Sequence, residues 1–152
     1  MNSEAYPALI AACRLLKRQD LTLQEVSQRI EPKFSPSAVQ EVLQFLADKK
    51  FVDDLRLAQN ALERNEGRRA IGDDLLKHKL KSRGVPTEVI AGLFAEVDTD
   101  EINRARVLVH AKFSGSNSPG RVARFLFSRG FSEDTIECIL EEIPQPEPIE
   151  SE

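Results

Sequence analysis

The sequence predicts an all-α chain of three tandem three-helix repeats in an elongated, curved array. Three observations predict it. Leu80-Lys81-Ser82-Arg83-Gly84-Val85 returns 46 residues later as Leu126-Phe127-Ser128-Arg129-Gly130-Phe131. Behind each copy an amphipathic pattern begins at once, with Ile90/Ile136, Leu93/Ile139, Phe94/Leu140 and Val97/Ile143 in unbroken register. An earlier copy lies 51 residues upstream, at Phe34, Val39, Val42, Leu43 and Leu46. No stretch alternates with period two, so strands are not expected. Repeats of this size contact mainly their neighbours, which makes an extended array.

The first repeat covers residues 1–50. Tyr6 to Arg18 reads as a helix whose inner stripe is Leu9, Ala12, Cys13 and Leu16. Thr22 and Glu25 have capping-box spacing, and Leu21 with Val26 supplies the hydrophobic staple that opens the second helix. It stops near Pro32. Ser35 as N-cap and Pro36 at N1 start the third, and Leu46 to Val52 closes the unit. The second repeat, 51–98, begins at Asp53-Asp54, acids at the positive end of a helix dipole. Leu55, Ala58 and Leu62 are expected to face inward. Glu66-Gly67-Arg68-Arg69 is a polar break, and Ile71-Gly72-Asp73-Asp74 leads into a helix that ends at Gly84. A glycine just past a helix, followed by an apolar residue, is the mark of a Schellman stop: the glycine turns left-handed and the next side chain packs back. Gly84 with Val85, and Gly130 with Phe131, fit it. Pro86-Thr87-Glu88 opens the next helix.

The third repeat, 99–143, gives a helix over 99–113, a loop at 114–118, and helices over 119–129 and 132–143. Residues 144–152 contain Pro144, Pro146 and Pro148 with little to bury, so a disordered acidic tail is expected.

Composition narrows the function. At 152 residues with 41% hydrophobic and 30% charged residues, the chain is an ordinary globular one. No apolar run approaches 18 residues and Met1-Asn2-Ser3-Glu4 opens no signal peptide, so a cytoplasmic protein with no membrane contact is expected. Cys13 and Cys138 fit no disulfide or metal spacing, and acids beside Cys138 disfavour a thiolate. His78 and His110 have no Cys/His/acid constellation, and no phosphate-cradling glycine loop is present. Asp53-Asp54 and Asp73-Asp74 are read as helix caps rather than acid–base pairs. No enzyme, metal or cofactor is expected, and the chain is read as a monomer.

The net charge of −4 is unevenly spread. Residues 132–152 hold eight acids and no Lys or Arg, which leaves 17 acids against all 21 Lys and Arg in residues 1–131, a net of +4. Between Arg104 and Phe131 there are six Lys or Arg and no acid. Such asymmetry points to a partner surface. With Val26, Leu76 and Val122 as equivalent inner positions, the outer face of the second helix can be compared between repeats. It reads Ser27, Gln28, Glu31 in the first, Lys77, His78, Lys81 in the second and Ala123, Arg124, Phe127 in the third. At 100° per residue these positions turn away from the apolar stripe. A solvated face explains any one of them. The whole stripe, flanked by Arg68, Arg69 and Arg121, reads as a docking surface, with Phe127 its sharpest member. Arg83 and Arg129 sit at helix C-termini, where the dipole suffices to explain them.

These residues resemble the RecX family, small regulators of the RecA recombinase, over about Cys13 to Ile143. The resemblance is carried by Phe51-Val52-Asp53-Asp54-Leu55-Arg56-Leu57-Ala58, by Ile71-Gly72 with Leu76-Lys77 and the Leu80 to Val85 stop, and by Arg124 to Phe131. Ile71 stands where the family usually has an aromatic and Asp73 where it usually has Pro. The resemblance implies a curved array lying along the groove of the RecA–DNA filament. It would weaken recombination, ATPase and repressor-cleavage activities in DNA repair and the SOS response. Binding to bare single- or double-stranded DNA is expected to be weak, because the acidic tail and third helices without Lys or Arg limit counterion release. A helix-turn-helix DNA binder is the rival reading, since helix–Gly–helix is its outline too. Ser35–Asp48, Pro86–Val97 and Ser132–Ile143 contain no Lys or Arg, unlike helices that enter an anionic groove. A helical scaffold for another protein shares the same fold.

Overall fold

The computed structural model describes residues 2–113 and 118–144. Within them the chain is helical with no strand: α1 (Ala5–Arg18), α2 (Leu23–Ile30), α3 (Pro36–Asp48), α4 (Asp54–Arg64), α5 (Asp73–Arg83), α6 (Thr87–Glu96), α7 (Glu101–Lys112), α8 (Pro119–Ser128) and α9 (Glu133–Glu142), with a 3₁₀ turn at Gly67–Arg69. Apart from Ser118 and Pro144, the expected loop at 114–118 and the expected acidic tail lie outside the described residues. The chain forms two compact bodies, Met1–Glu63 with His78–Asp98, and Arg64–Lys77 with Thr99–Glu152. The division passes through α5.

The helix starts are set by local chemistry. Thr22 Oγ1 accepts from Glu25 N–H, and Glu25 Oε1 accepts from Thr22 N–H, so the capping box is closed at the start of α2. Ser35 and Ser132 cap α3 and α9 through the backbone N–H groups of Ala38 and Thr135. The stops are equally regular. Gly84 (φ +99°) and Gly130 (φ +80°) are left-handed. Val85 N–H reaches Leu80 O at 3.1 Å and Gly84 N–H reaches Lys81 O at 3.0 Å; Phe131 to Leu126 and Gly130 to Phe127 repeat the pair at 3.2 and 3.0 Å. Both are Schellman motifs. Lys50 (φ +57°) makes the same stop after α3, with Phe51 N–H on Leu46 O, at a left-handed cost of about 1–2 kcal/mol that glycine avoids.

The first body packs Ala5, Ala8 and Ala12 of α1 against Val26 and Ile30 of α2 and Ala38, Val39, Val42 and Leu46 of α3. The second packs Ala105 and Leu108 of α7, Val122 and Leu126 of α8, and Ile136 and Ile139 of α9 around Phe131 and Ala70. The inner positions Val26, Leu76 and Val122 are all buried.

Four expectations are corrected. Cys13 is exposed: α1 turns its alanine side inward, which lets it approach α3 closely, and this puts Tyr6, Ile10 and Cys13 outside. Leu55 is 43% exposed while Leu57 and Ala58 are buried; Leu55 lies about 200° around the helix from Leu57, so it leaves the core when Leu57 enters. Val97 is exposed because it is the extended C-cap of α6, out of helical register. Asp54 and Asp73 do more than cap their own helices. Asp54 Oδ1 accepts from Leu23 N–H at 3.2 Å, and Asp73 holds Thr99 Oγ1 at 2.6 Å and Arg104 Nη2 at 2.7 Å. Asp53 alone behaves as read, capping Arg56 N–H.

Candidate partner-binding surface

In the second body, α8 buries Val122 and Leu126 and half-buries Ala123 and Phe125, which fixes what faces out. Gly120, Arg121, Arg124, Phe127 and Ser128 are exposed, and Phe127 at 72% is the most exposed large apolar side chain described. Phe125, two residues before it, is enclosed. Phe113 meets its ring edge-on at 5.4 Å, and the Lys112 ammonium and Arg129 guanidinium lie 5.6 and 5.2 Å from its centroid. Those contacts, with Arg104 on Asp73 and Arg106 on Glu142, occupy four of the six cations between 104 and 131. Arg121 and Arg124 have no acidic partner among the described residues.

The remaining stripe residues fall in two groups. Arg68 and Arg69 are exposed on the 3₁₀ turn. Arg129 Nη1 donates to the carbonyls of Arg68 and Ala70, at 3.3 and 3.4 Å, which brings this turn to the C-terminal end of α8, two residues past Phe127. The second body therefore carries Arg68 and Arg69 beside the C-terminal end of α8, and Arg121, Arg124 and Phe127 along α8 itself. On α5, His78 and Lys81 are exposed and belong to the first body. Lys77, which the helical period places in solvent, is half-buried and engaged by neighbours. The equivalent face of α2 differs in kind: Ser27 Oγ donates to Glu31 at 2.7 Å, beside an open groove lined by Phe34, Pro36, Val39 and Leu43. Among the described residues no group of three His, Cys, Asp or Glu is placed to hold a metal, and no helix is long and apolar enough to cross a membrane.

No protein-family model matches this chain. Individual relatives do. The regulatory protein RecX of Trichlorobacter lovleyi is 30% identical over 142 residues, covering 87% of this chain and 92% of that protein. The regulatory protein RecX of Halorhodospira halophila is 31% identical, covering 83% and 81%. The chain belongs to the RecX family. The crystal structure of RecX from Lactobacillus salivarius shares the fold, with a TM-score of 0.77 at 20% identity over 94% of this chain and 98% of that one.

Asp73 has a physical use at the start of α5. Its N–H donates to Glu101 Oε1 at 3.0 Å, a bond that proline could not make. Its carboxylate pairs with Arg104, which also reaches the carbonyls of Thr99 and Ile71. Ile71 is pinned through both its N–H and its carbonyl by the buried Asn65 amide.

The residues that sequence reasoning missed are those joining one repeat to the next. Thr22 Oγ1 donates to Arg83 O, and Gly72 N–H donates to Arg129 O at 2.8 Å. Position for position, the start of each second helix rests on the Ser-Arg-Gly stop of the following repeat. A carboxylate from that repeat's first helix takes the next N–H: Asp54 for Leu23, Glu101 for Asp73. Arg83 therefore does more than complement its own dipole. It grips Glu25 with Nε and Nη2, at 3.3 and 3.0 Å, and Asp20 O at 3.0 Å. Burial works against the Glu25 anion, yet the Arg83 and Thr22 hydrogen bonds outweigh it and hold this carboxyl below its usual value. Asp54 goes the other way, pushed up by burial beside Asp53 and Glu25. The recurrence of arginine itself before both glycines, where lysine would serve a dipole equally, was the available signal.

Proposed function

We propose that this chain is a cytoplasmic, monomeric regulator that docks on a RecA–DNA filament and inhibits its recombination, ATPase and coprotease activities. The observation that carries the reading is the outer face of α8, where two arginines without acidic partners among the described residues run in a row up to an exposed phenylalanine. Arg68 and Arg69 add exposed basic charge near the α8 stop, and Lys81 and His78 supply a second basic face on α5. Family membership supplies the class of partner. The third helices, α3, α6 and α9, carry no Lys or Arg, which disfavours a helix-turn-helix mode.

The test reverses charge where the side chains are exposed. Lys81→Glu, Arg121→Glu and Arg124→Glu together should abolish inhibition of filament ATPase and leave helical circular dichroism unchanged. Lys77 is left intact because it is half-buried. In parallel, the parent protein is titrated at one salt concentration against bare duplex and against preformed filament. Tight binding to bare duplex with no preference for filament overturns the proposal.

A further inference from the structure

Resting on that filament reading, we propose that the outer face of α8 binds single-stranded nucleic acid. An unpaired base stacks on Phe127 while Arg121 and Arg124 hold the phosphates. A phenyl ring 72% exposed is an unpartnered apolar surface. What surrounds it decides the partner. The exposed residues around it on α8 are Gly120, Arg121, Arg124 and Ser128, and the only apolar side chain within a turn on that face is the small, half-buried Ala123. A protein-docking anchor sits within an apolar patch that excludes water. A lone ring beside guanidinium groups is instead the arrangement that takes a base on its π-face and a phosphate at its edge.

The cations lie where such a strand needs them. Arg124 and Phe127 are three residues apart and therefore adjacent on the helix surface. Arg121 continues the row about 4.5 Å further along the axis. The sequence from Arg104 to Phe131 contains no acid to repel a phosphate. A duplex hides its base faces within the stack, so ring stacking selects an unpaired strand. Phe113 and Phe125 close on one another, so among the described residues of the second body Phe127 is the aromatic ring left presented.

The chain contains no tryptophan, so Phe127→Trp places a single reporter in the site. At low salt, a short oligothymidylate should quench its fluorescence, and an abasic strand of equal length and charge should not. Phe127→Leu, which keeps an apolar side chain and removes the π-face, should weaken oligothymidylate binding roughly ten-fold and leave abasic-strand binding unchanged. Arg121→Gln with Arg124→Gln should weaken both. Circular dichroism checks that each variant folds. Equal affinity of the parent for the two strands, or no quenching of Phe127→Trp, overturns the proposal. If Phe127→Leu keeps full oligothymidylate binding but loses filament inhibition, the ring docks on protein. The stacking proposal then fails and the filament reading stands. If oligothymidylate quenches while the parent leaves filament ATPase untouched, stacking stands and the filament reading fails.

Discussion

At the start of α2 a threonine hydroxyl meets the Arg83 carbonyl, with Glu25, Asp54 and the Arg83 side chain gathered around it. At the start of α5 a glycine N–H meets the Arg129 carbonyl, and no side chain stands between the two backbones. The two joints occupy equivalent places in consecutive repeats and reach the same geometry by different means. The first is held by side chains, the buried Thr22 hydroxyl and around it an ion pair that water reaches, with the Arg83 side chain 40% exposed. The second is steric. A Cβ on Gly72 would overlap the carbonyl of Gly130, and one on Gly130 would overlap Leu75. Its accompanying ion pair is drier, with the Arg104 side chain only 10% exposed. What recurs between repeats is the position of the donor and the helix stop, while the chemistry at the position is free to vary.

The largest expected effect breaks the second joint. Gly72→Ala drives a methyl into backbone that cannot yield, so it should destabilise the second body by about 3 kcal/mol. Gly84→Ala meets the left-handed cost and also the Cβ of Gln24 at 2.5 Å, which moves only with the α2 backbone, so a loss of at least about 1–2 kcal/mol is expected. Hydrogen exchange reads the two separately, through the amides of Leu126 and Ile139 in one body and of Val26 and Ile30 in the other. Equal losses for the two variants would mean that the joints do not differ as described.

The same contrast explains what could be read from sequence. Helix starts and stops were legible because their partners are local: Thr22 with Glu25, Leu80 with Gly84 and Val85. The inner faces of α3 and α9 followed from their period. α1 did not, because hydrophobic periodicity weighs Leu, Ile and Cys above Ala, and here three alanines face the core. Arg83, Arg129, Asp54 and Asp73 each had a sufficient local explanation, so nothing pointed to partners 58, 61, 31 and 31 residues away. At the candidate surface, the exposure of Arg124 and Phe127 was legible from 100° geometry. The half-burial of Lys77 was not.

The charged joint offers a smaller effect that depends on pH. Glu25→Gln keeps an acceptor for Thr22 N–H and removes the ion pair with Arg83. With Arg83 this exposed, about 1 kcal/mol of stability should be lost at neutral pH. The sign follows from the lowered Glu25 pKa. Its contribution is present above the unfolded value of about 4.5 and is lost as pH falls through the lower folded value. Asp54, raised from 3.8, acts oppositely: folding penalises its anion, and acid relieves that penalty first. The stability gap between parent and Glu25→Gln, measured by urea denaturation, should therefore be open at neutral pH and close as pH falls below 4.5 through the lower folded value. High salt should narrow it too. A gap that persists in acid would mean that packing, not the ion pair, holds this joint.

The smallest effect tests whether distance or burial gives such pairs their strength. Arg106 and Glu142 join α7 to α9 at 2.6 Å, closer than the 3.0 Å between Arg83 and Glu25. Both side chains of the closer pair are over 40% exposed, against 23% for Glu25. The Arg106 hydrogen bonds hold the Glu142 carboxyl below its usual value, but solvent and salt screen a pair in this setting. Glu142 also takes no part in holding a helix start, whereas Glu25 closes the α2 capping box as well as gripping Arg83. Glu142→Gln should therefore leave the urea midpoint unchanged at physiological salt, while Glu25→Gln lowers it. A loss at Glu142 equal to that at Glu25 would make hydrogen-bond length the governing quantity. The Arg83 joint would then owe its strength to its own geometry and not to its place between repeats.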